Sequence, residues 1–318
     1  KDLVLPSTLR EIGETALNGC SDLASLTIPE NVQKIGTGYT DLPKLTSISV
    51  DSRNPYYNSN GNCNAIIETA TGMLILGCRN TVIPSGTTGL ADYAFANQSQ
   101  LEFLLIPASV NNIGSYAFMN CSLLKSLIIP EGVDTIRDKT FSGCSSLEYL
   151  SVPSTVKGFG TEVFSGCDNL TSAGPQGGGY RYEFNWDTIP ARAFDKLTKL
   201  QTVYIPKTVK AIGSIGIFDD CRSLNSIAVS LKDTKWAIKS QTTDGQEQIT
   251  EIPLDYRLHV NSPVSTLTLL DDTINDLSKV LTRYIRNLVL SEYVKEIKPD
   301  AFSFDPLLMR DVPHYVYN

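Results

Sequence analysis

The chain has 318 residues, 42% hydrophobic and 19% charged, with 27 Lys+Arg against 34 Asp+Glu for a formal charge of −7. That composition supports a sizeable core and excludes a compositionally disordered chain. The acidic balance argues against nucleic acid or an anionic membrane surface as partner, since both select basic patches, and no apolar run approaches the ~20 residues of a membrane-spanning helix.

In chain order, the elements repeat. Ile12-Gly13 is followed by Ala16, Leu17, Cys20, Leu23, Leu26, Ile28-Pro29 and Val32, and the frame restarts 23 residues on at Ile35. It starts again at Leu90, Ile113, Ile136 and Phe159, and once more at Ile189 and Ile212, with steps of 23 inside each run. A fixed period of this size overrides ordinary domain arithmetic and predicts a solenoid, in which no coil encloses its own apolar face and neighbours must stack.

Position within the unit predicts local structure. Leu26-Thr27-Ile28, Leu104-Leu105-Ile106, Leu127-Ile128-Ile129, Leu150-Ser151-Val152 and Val203-Tyr204-Ile205 alternate as short half-buried strands do. Pro29, Pro107, Pro130, Pro153 and Pro206 follow them and lack the amide hydrogen a ladder needs, so each strand stops there. The Ala-Phe pairs Ala94-Phe95, Ala117-Phe118 and Ala193-Phe194 read as a short helical or 3₁₀ turn that drives Phe into the core. Turn-rich insertions at about 52–72 and 174–187 interrupt the frame, the first adding a hairpin to one coil. After Val229 the frame fades into polar sequence, Leu267 and Leu269 hint at one coil, and Leu288, Leu290, Val294, Ile297, Ala301 and Phe302 restore the offsets. The expected organisation is a repeat array over residues 1–229, with divergent repeats and a cap over 230–318.

These units, I-G-x-x-A-F-x-x-C from Ile113 to Cys121 and L-x-x-I-x-I-P from Leu124 to Pro130, resemble the BspA-like leucine-rich repeats. Asn62 to Cys78 is similar to a variant coil of that family. The resemblance implies an α/β, β-rich leucine-rich-repeat solenoid: a curved right-handed array of short parallel strands joined by short helical or 3₁₀ turns. It further implies display outside the cytoplasm, a role in adhesion or ligand binding, and no catalytic residues. The sequence opens on Lys1 with no charged-then-apolar leader, so an export signal or anchor would lie outside these residues.

Candidate chemistry is sparse. Cys20, Cys121, Cys144, Cys167 and Cys221 share one repeat position and read as a ladder of small buried thiols, while Cys63 and Cys78 leave a bridge open. His259 and His314 have no second ligand at metal-site spacing, Asp271, Asp272 and Asp276 lack the calcium-loop pattern, and Gly177-Gly178-Gly179 lacks a phosphate-loop context, so neither metal nor cofactor is expected. Strand alternation turns Phe103, Leu105, Ile128, Tyr149 and Tyr204 outward as an apolar and aromatic candidate surface. A second candidate is the aromatic loop carrying Tyr180, Tyr182, Phe184 and Trp186, suited to stacking on a sugar or peptide. The leading reading is a non-catalytic secreted or cell-surface protein that binds a protein or glycan through its sheet face, for instance on a host extracellular matrix or cell surface. An architectural spacer, and an enzyme with a site in 230–284, are the alternatives.

Overall fold

A column of phenylalanines organises the first half of the chain. In the computed structural model, Phe95, Phe118, Phe141 and Phe164 are buried and stack in sequence, with ring centroids 5.5, 5.6 and 6.2 Å apart. The described residues are 3–153, 155–156, 158–170, 172–174, 188–189, 194, 197–205, 211–212, 220–229, 237–241, 247–251, 265–269, 271–274, 287–292 and 294–299. The chain divides into two compact units, 1–170 and 171–318.

Two kinds of parallel pairing recur through the coils of the first unit. One holds Ser25–Ile28 beside Ser47–Val50 and Ser126–Ile128 beside Tyr149–Ser151, in register from Ser126↔Tyr149 to Ile128↔Ser151. The other is built from the two-residue strands at the Ile-Gly position: Glu11–Ile12 pairs with Lys34–Ile35, and Gly89–Leu90, Asn112–Ile113, Thr135–Ile136 and Gly158–Phe159 follow one another. At Gly114 and Gly160 glycine is dictated by close approach. A Cβ on Gly114 would lie 2.5 Å from the Asp92 backbone nitrogen, and one on Gly160 2.3 Å from that of Asp138.

The turn at Ala-Phe differs from expectation. Among the described residues the only helical segment is the 3₁₀ turn Asn60–Asn62, and Ala94-Phe95 and Ala117-Phe118 sit in hydrogen-bonded turns. Left-handed residues bracket them, Tyr93 (φ 63°) with Asn97 (φ 59°) and Tyr116 (φ 61°) with Asn120 (φ 59°), and two such residues so close together prevent a right-handed helix from propagating. The result is a β-solenoid almost without helix, and the helical component of the α/β reading is replaced by turns.

Residues 57–77 form an antiparallel arrangement, with Tyr57–Asn58 against Ala65–Glu68 and the latter against Met73–Gly77. Met73–Gly77 then pairs in parallel with Gly89–Leu90, which returns the chain to the array. The Tyr57 hydroxyl accepts from the Ile35 N–H at 2.9 Å, closing the ladder that the hairpin interrupts. On the opposite side this coil has no turn of its own. Gln98 Nε2 donates to the Leu42 carbonyl at 3.0 Å and Asn97 to that of Thr40, so the coils on either side meet directly there.

Leu104-Leu105-Ile106 also departs from the sequence reading, because it belongs to no strand. The preceding coil has its backbone committed elsewhere: the Val82 N–H donates to the Cys63 carbonyl at 3.0 Å, and the Asn80 carbonyl accepts from Asn64 Nδ2 at 3.2 Å. Alternation survives without the ladder, with Ile106 buried and Leu105 exposed.

In the second unit, Thr202–Tyr204, Ser226–Val229, Thr266–Leu269 and Asn287–Leu290 form one parallel ladder. Val203, Ile227, Leu267 and Leu288 make its buried row, so the array runs through the divergent 230–284 segment. Ala237–Gln241 and Glu247–Glu251 form an antiparallel hairpin inside that segment. Phe302 lies outside the described residues.

Truncating the middle of the aromatic column removes contacts on both sides at once. Phe141→Ala is expected to lower unfolding free energy by about 3–5 kcal/mol, read as a shifted midpoint in urea melts; a melt coinciding with the parent's would disprove the stacking register.

Candidate functional site

Inward side chains must match from coil to coil, but outward ones are free to vary. In the coils of Ser25–Ile28 and Ser47–Val50 the outward positions are Ser25, Thr27, Ser47 and Ser49, all exposed, with Thr27 Oγ1 and Ser49 Oγ hydrogen-bonded at 2.9 Å. The character changes in the following coils. Val82, Phe103, Leu105 and Ile128 are 72, 65, 78 and 51% exposed and surround an open depression of about 360 Å³. Ser126 forms part of its floor, and Tyr149 is half-buried one coil further on.

Val82 was not identified from the sequence, although the signal was present. Val82-Ile83-Pro84 stands in frame with Leu105-Ile106-Pro107, 23 residues earlier. Phe103, Leu105, Ile128 and Tyr149 all lie on this stretch of the first unit as expected of outward positions. Tyr204 belongs to the strand Thr202–Tyr204 of the second unit, and its side chain is outside the described residues, as are Tyr180, Tyr182, Phe184 and Trp186.

The face carries no charge in its outward columns; charge is confined to the rim. Lys125 Nζ lies 5.8 Å from the centroid of the Phe103 ring and 3.8 Å from Glu102, a cation–π contact worth about 0.5–1 kcal/mol at an exposed site. Another surface column is internally satisfied. Tyr93 and Tyr116 stack at 4.6 Å, Lys139 Nζ lies 5.9 Å from the Tyr116 centroid, and Lys139 pairs with Glu162 at 3.3 Å.

The cysteines serve the core. All seven are free thiols, Cys63 and Cys78 included, so the bridge left open by the sequence is not formed. Cys121, Cys144 and Cys167 donate to the carbonyls of Phe95, Phe118 and Phe141, each at 3.1 Å, and Cys221 donates to Phe194 at 2.8 Å. Burial pushes the thiol of Cys144 up to about 12 from its ordinary 9.0 and raises those of Cys121 and Cys167 in the same direction. No group of three or more His, Cys, Asp or Glu suited to a metal occurs among the described residues, and no described helix is long and apolar enough to cross a membrane.

The stacked coils and the free-thiol ladder define a leucine-rich-repeat solenoid with an exposed apolar stretch on its outward face. The chain belongs to the BspA type leucine rich repeat family, whose pattern matches in 6 copies over residues 1–68, 76–174 and 182–262. No curated protein matches it in sequence. Among solved structures it is similar to a leucine-rich repeat protein from Eubacterium ventriosum, at 22% identity and TM-score 0.58 over 77% of this chain and 68% of that one. It is similar also to a leucine rich cell surface protein from Faecalibacterium prausnitzii, at 23% identity and TM-score 0.51 over 70% of this chain and 52% of that one. The pneumococcal vaccine antigen PcpA gives 18% identity and TM-score 0.50 over 98% of this chain and 60% of that one. The chain thus spans about half of the Faecalibacterium protein's length.

The thiol ladder has a readable consequence in alkali. An acid whose folded pKa is raised stays protonated after the unfolded chain has ionised, so Cys144 withdraws stability as pH rises from about 9 toward about 12, and Cys121 and Cys167 act in the same direction. Expected from Cys144 is a loss of order 1 kcal/mol per pH unit across that window, with Cys144→Ala flattening the slope of unfolding free energy against pH; an unchanged slope would contradict the assignment.

Proposed function

We propose that the chain is a non-catalytic binding module of a secreted or cell-surface protein, and that it captures a protein partner through Val82, Phe103, Leu105 and Ile128. The observation that carries the reading is four large apolar side chains standing more than half exposed around one depression. Exposed apolar clusters on otherwise polar surfaces mark interaction sites. Their backbone is held by a stacked core, so little ordering entropy remains to be lost on binding.

Protein is favoured over glycan by the chemistry of the face. Val82, Leu105 and Ile128 are aliphatic and offer no ring for a sugar to stack on, while the Phe103 ring lies near Lys125. A glycan site would draw instead on the loop with Tyr180, Tyr182 and Trp186. Surface display is supported by family membership and by the cell-surface protein among the similar structures. A spacer role, with no ligand on this face, is the competing reading.

Leu105→Asp places a charge where the face has none, at a site 78% exposed, so the fold is retained. Against arrays of purified extracellular-matrix proteins and glycans, the parent is expected to bind at least one protein, and the variant to lose about tenfold or more in affinity. Equal binding by both, or binding to glycans alone, would overturn the reading.

A further inference from the structure

Arg79, Glu102, Lys125 and Glu148 occupy one repeat position in four successive coils, each 23 residues beyond the last, and all four are exposed. Glu102, Lys125 and Glu148 stand one above another along the rim of the apolar face, the Lys125 N–H donating to the Glu102 carbonyl at 3.3 Å and the Glu148 N–H to that of Lys125 at 2.9 Å, and Arg79 holds the same frame position in the coil before them. Their signs run plus, minus, plus, minus. A row of even length and alternating sign is the complement of its own reversed copy, and repels an unreversed one.

A two-fold axis parallel to the strands, passing between the coils of Glu102 and Lys125, performs this reversal. It inverts the order of coils and leaves each outward column opposite itself. Glu102 then meets Lys125 of the second copy, and Arg79 meets Glu148. The same operation sets Leu105 against Ile128, two exposed aliphatic side chains, and Phe103 against the small Ser126. At the centre of the contact bulk therefore faces a gap and apolar faces apolar, while further out Val82 meets Ser151. We infer that this face pairs two copies of the chain in an isologous, antiparallel contact.

The inference rests on the reading of the face as a binding surface and names a second copy as an occupant. Four apolar side chains fall short of the roughly 800 Å² per partner of a standard interface, so the dimer is weak and concentration-dependent. At the central pair, forming it costs little within each chain. The Glu102–Lys125 pair at 3.8 Å has side chains 52 and 53% exposed, and such surface pairs contribute little to stability.

The test is sedimentation velocity on the whole chain at low ionic strength, from micromolar to sub-millimolar concentration. The parent is expected to move from the monomer toward the dimer as concentration rises, and added salt to reverse this. Glu102→Lys and Lys125→Glu should each weaken pairing about tenfold or more, since each sets like charges against one another twice. An equimolar mixture of the two variants should regain pairing to within about threefold of the parent, because every altered charge then faces its opposite. A parent that stays monomeric throughout, single variants that pair as the parent does, or a mixture no tighter than either variant would each overturn the inference. A monomeric parent that still captures a matrix protein through Leu105 would sink self-pairing while leaving the binding function standing; pairing without capture would do the reverse.

Discussion

Each phenylalanine of the central column has to fit a copy of itself one coil away. Phe95, Phe118, Phe141 and Phe164 satisfy this as near-parallel rings, and the thiol of each following coil donates to the phenylalanine carbonyl of the coil before it. The two devices are interlocked. A ring of different size would shift the backbone whose carbonyl receives the thiol, and a larger residue in place of cysteine would push the coils apart. Stacking of this kind admits very few residue types, which is why the period is so plain in the chain.

The freedom denied to the interior is given to the outward columns. Nothing in the core distinguishes Thr27 from Leu105, since Ile28 and Ile106 are both buried behind them. A surface can therefore change from hydroxyl-rich to apolar within a few coils at no cost to the fold. The variant coil adds a second effect. By taking the Val82 N–H for the Cys63 carbonyl and tying Asn64 to the Asn80 carbonyl, it leaves Phe103–Ile106 outside the strand ladder, and the exposed apolar residues stand where that ladder lapses.

What the sequence made legible was whatever repetition enforces. Buried rows, strand ends at proline, the thiol position and the outward direction of Phe103, Leu105 and Ile128 all follow from register. What it concealed depends on interactions outside the unit. The turn at Ala94-Phe95 looks helical until the left-handed backbone of Tyr93 and Asn97 is seen, and neither residue type announces that conformation. Leu104–Ile106 has the composition of a strand, but a strand needs a neighbour with free backbone groups. Val82 is masked in the sequence by the insertion its coil carries, although its frame position equals that of Leu105.

The thiol ladder bears on where such a chain can reside. Oxidising compartments normally drive cysteines into bridges, yet the exchange reaction needs a thiolate, and burial raises Cys121, Cys144 and Cys167 far from ionisation at neutral pH. The thiols of Cys121, Cys144, Cys167 and Cys221 already have carbonyl acceptors, and side chains issuing in parallel from stacked coils are poorly aimed at one another. A reduced ladder is therefore compatible with life outside the cytoplasm. The same geometry removes disulfides as a source of stability, so cohesion along the solenoid rests on rings, thiols and short parallel ladders. That in turn favours interaction surfaces that exploit the rigid repeat instead of deforming it, such as a row of charges fixed at one position per coil.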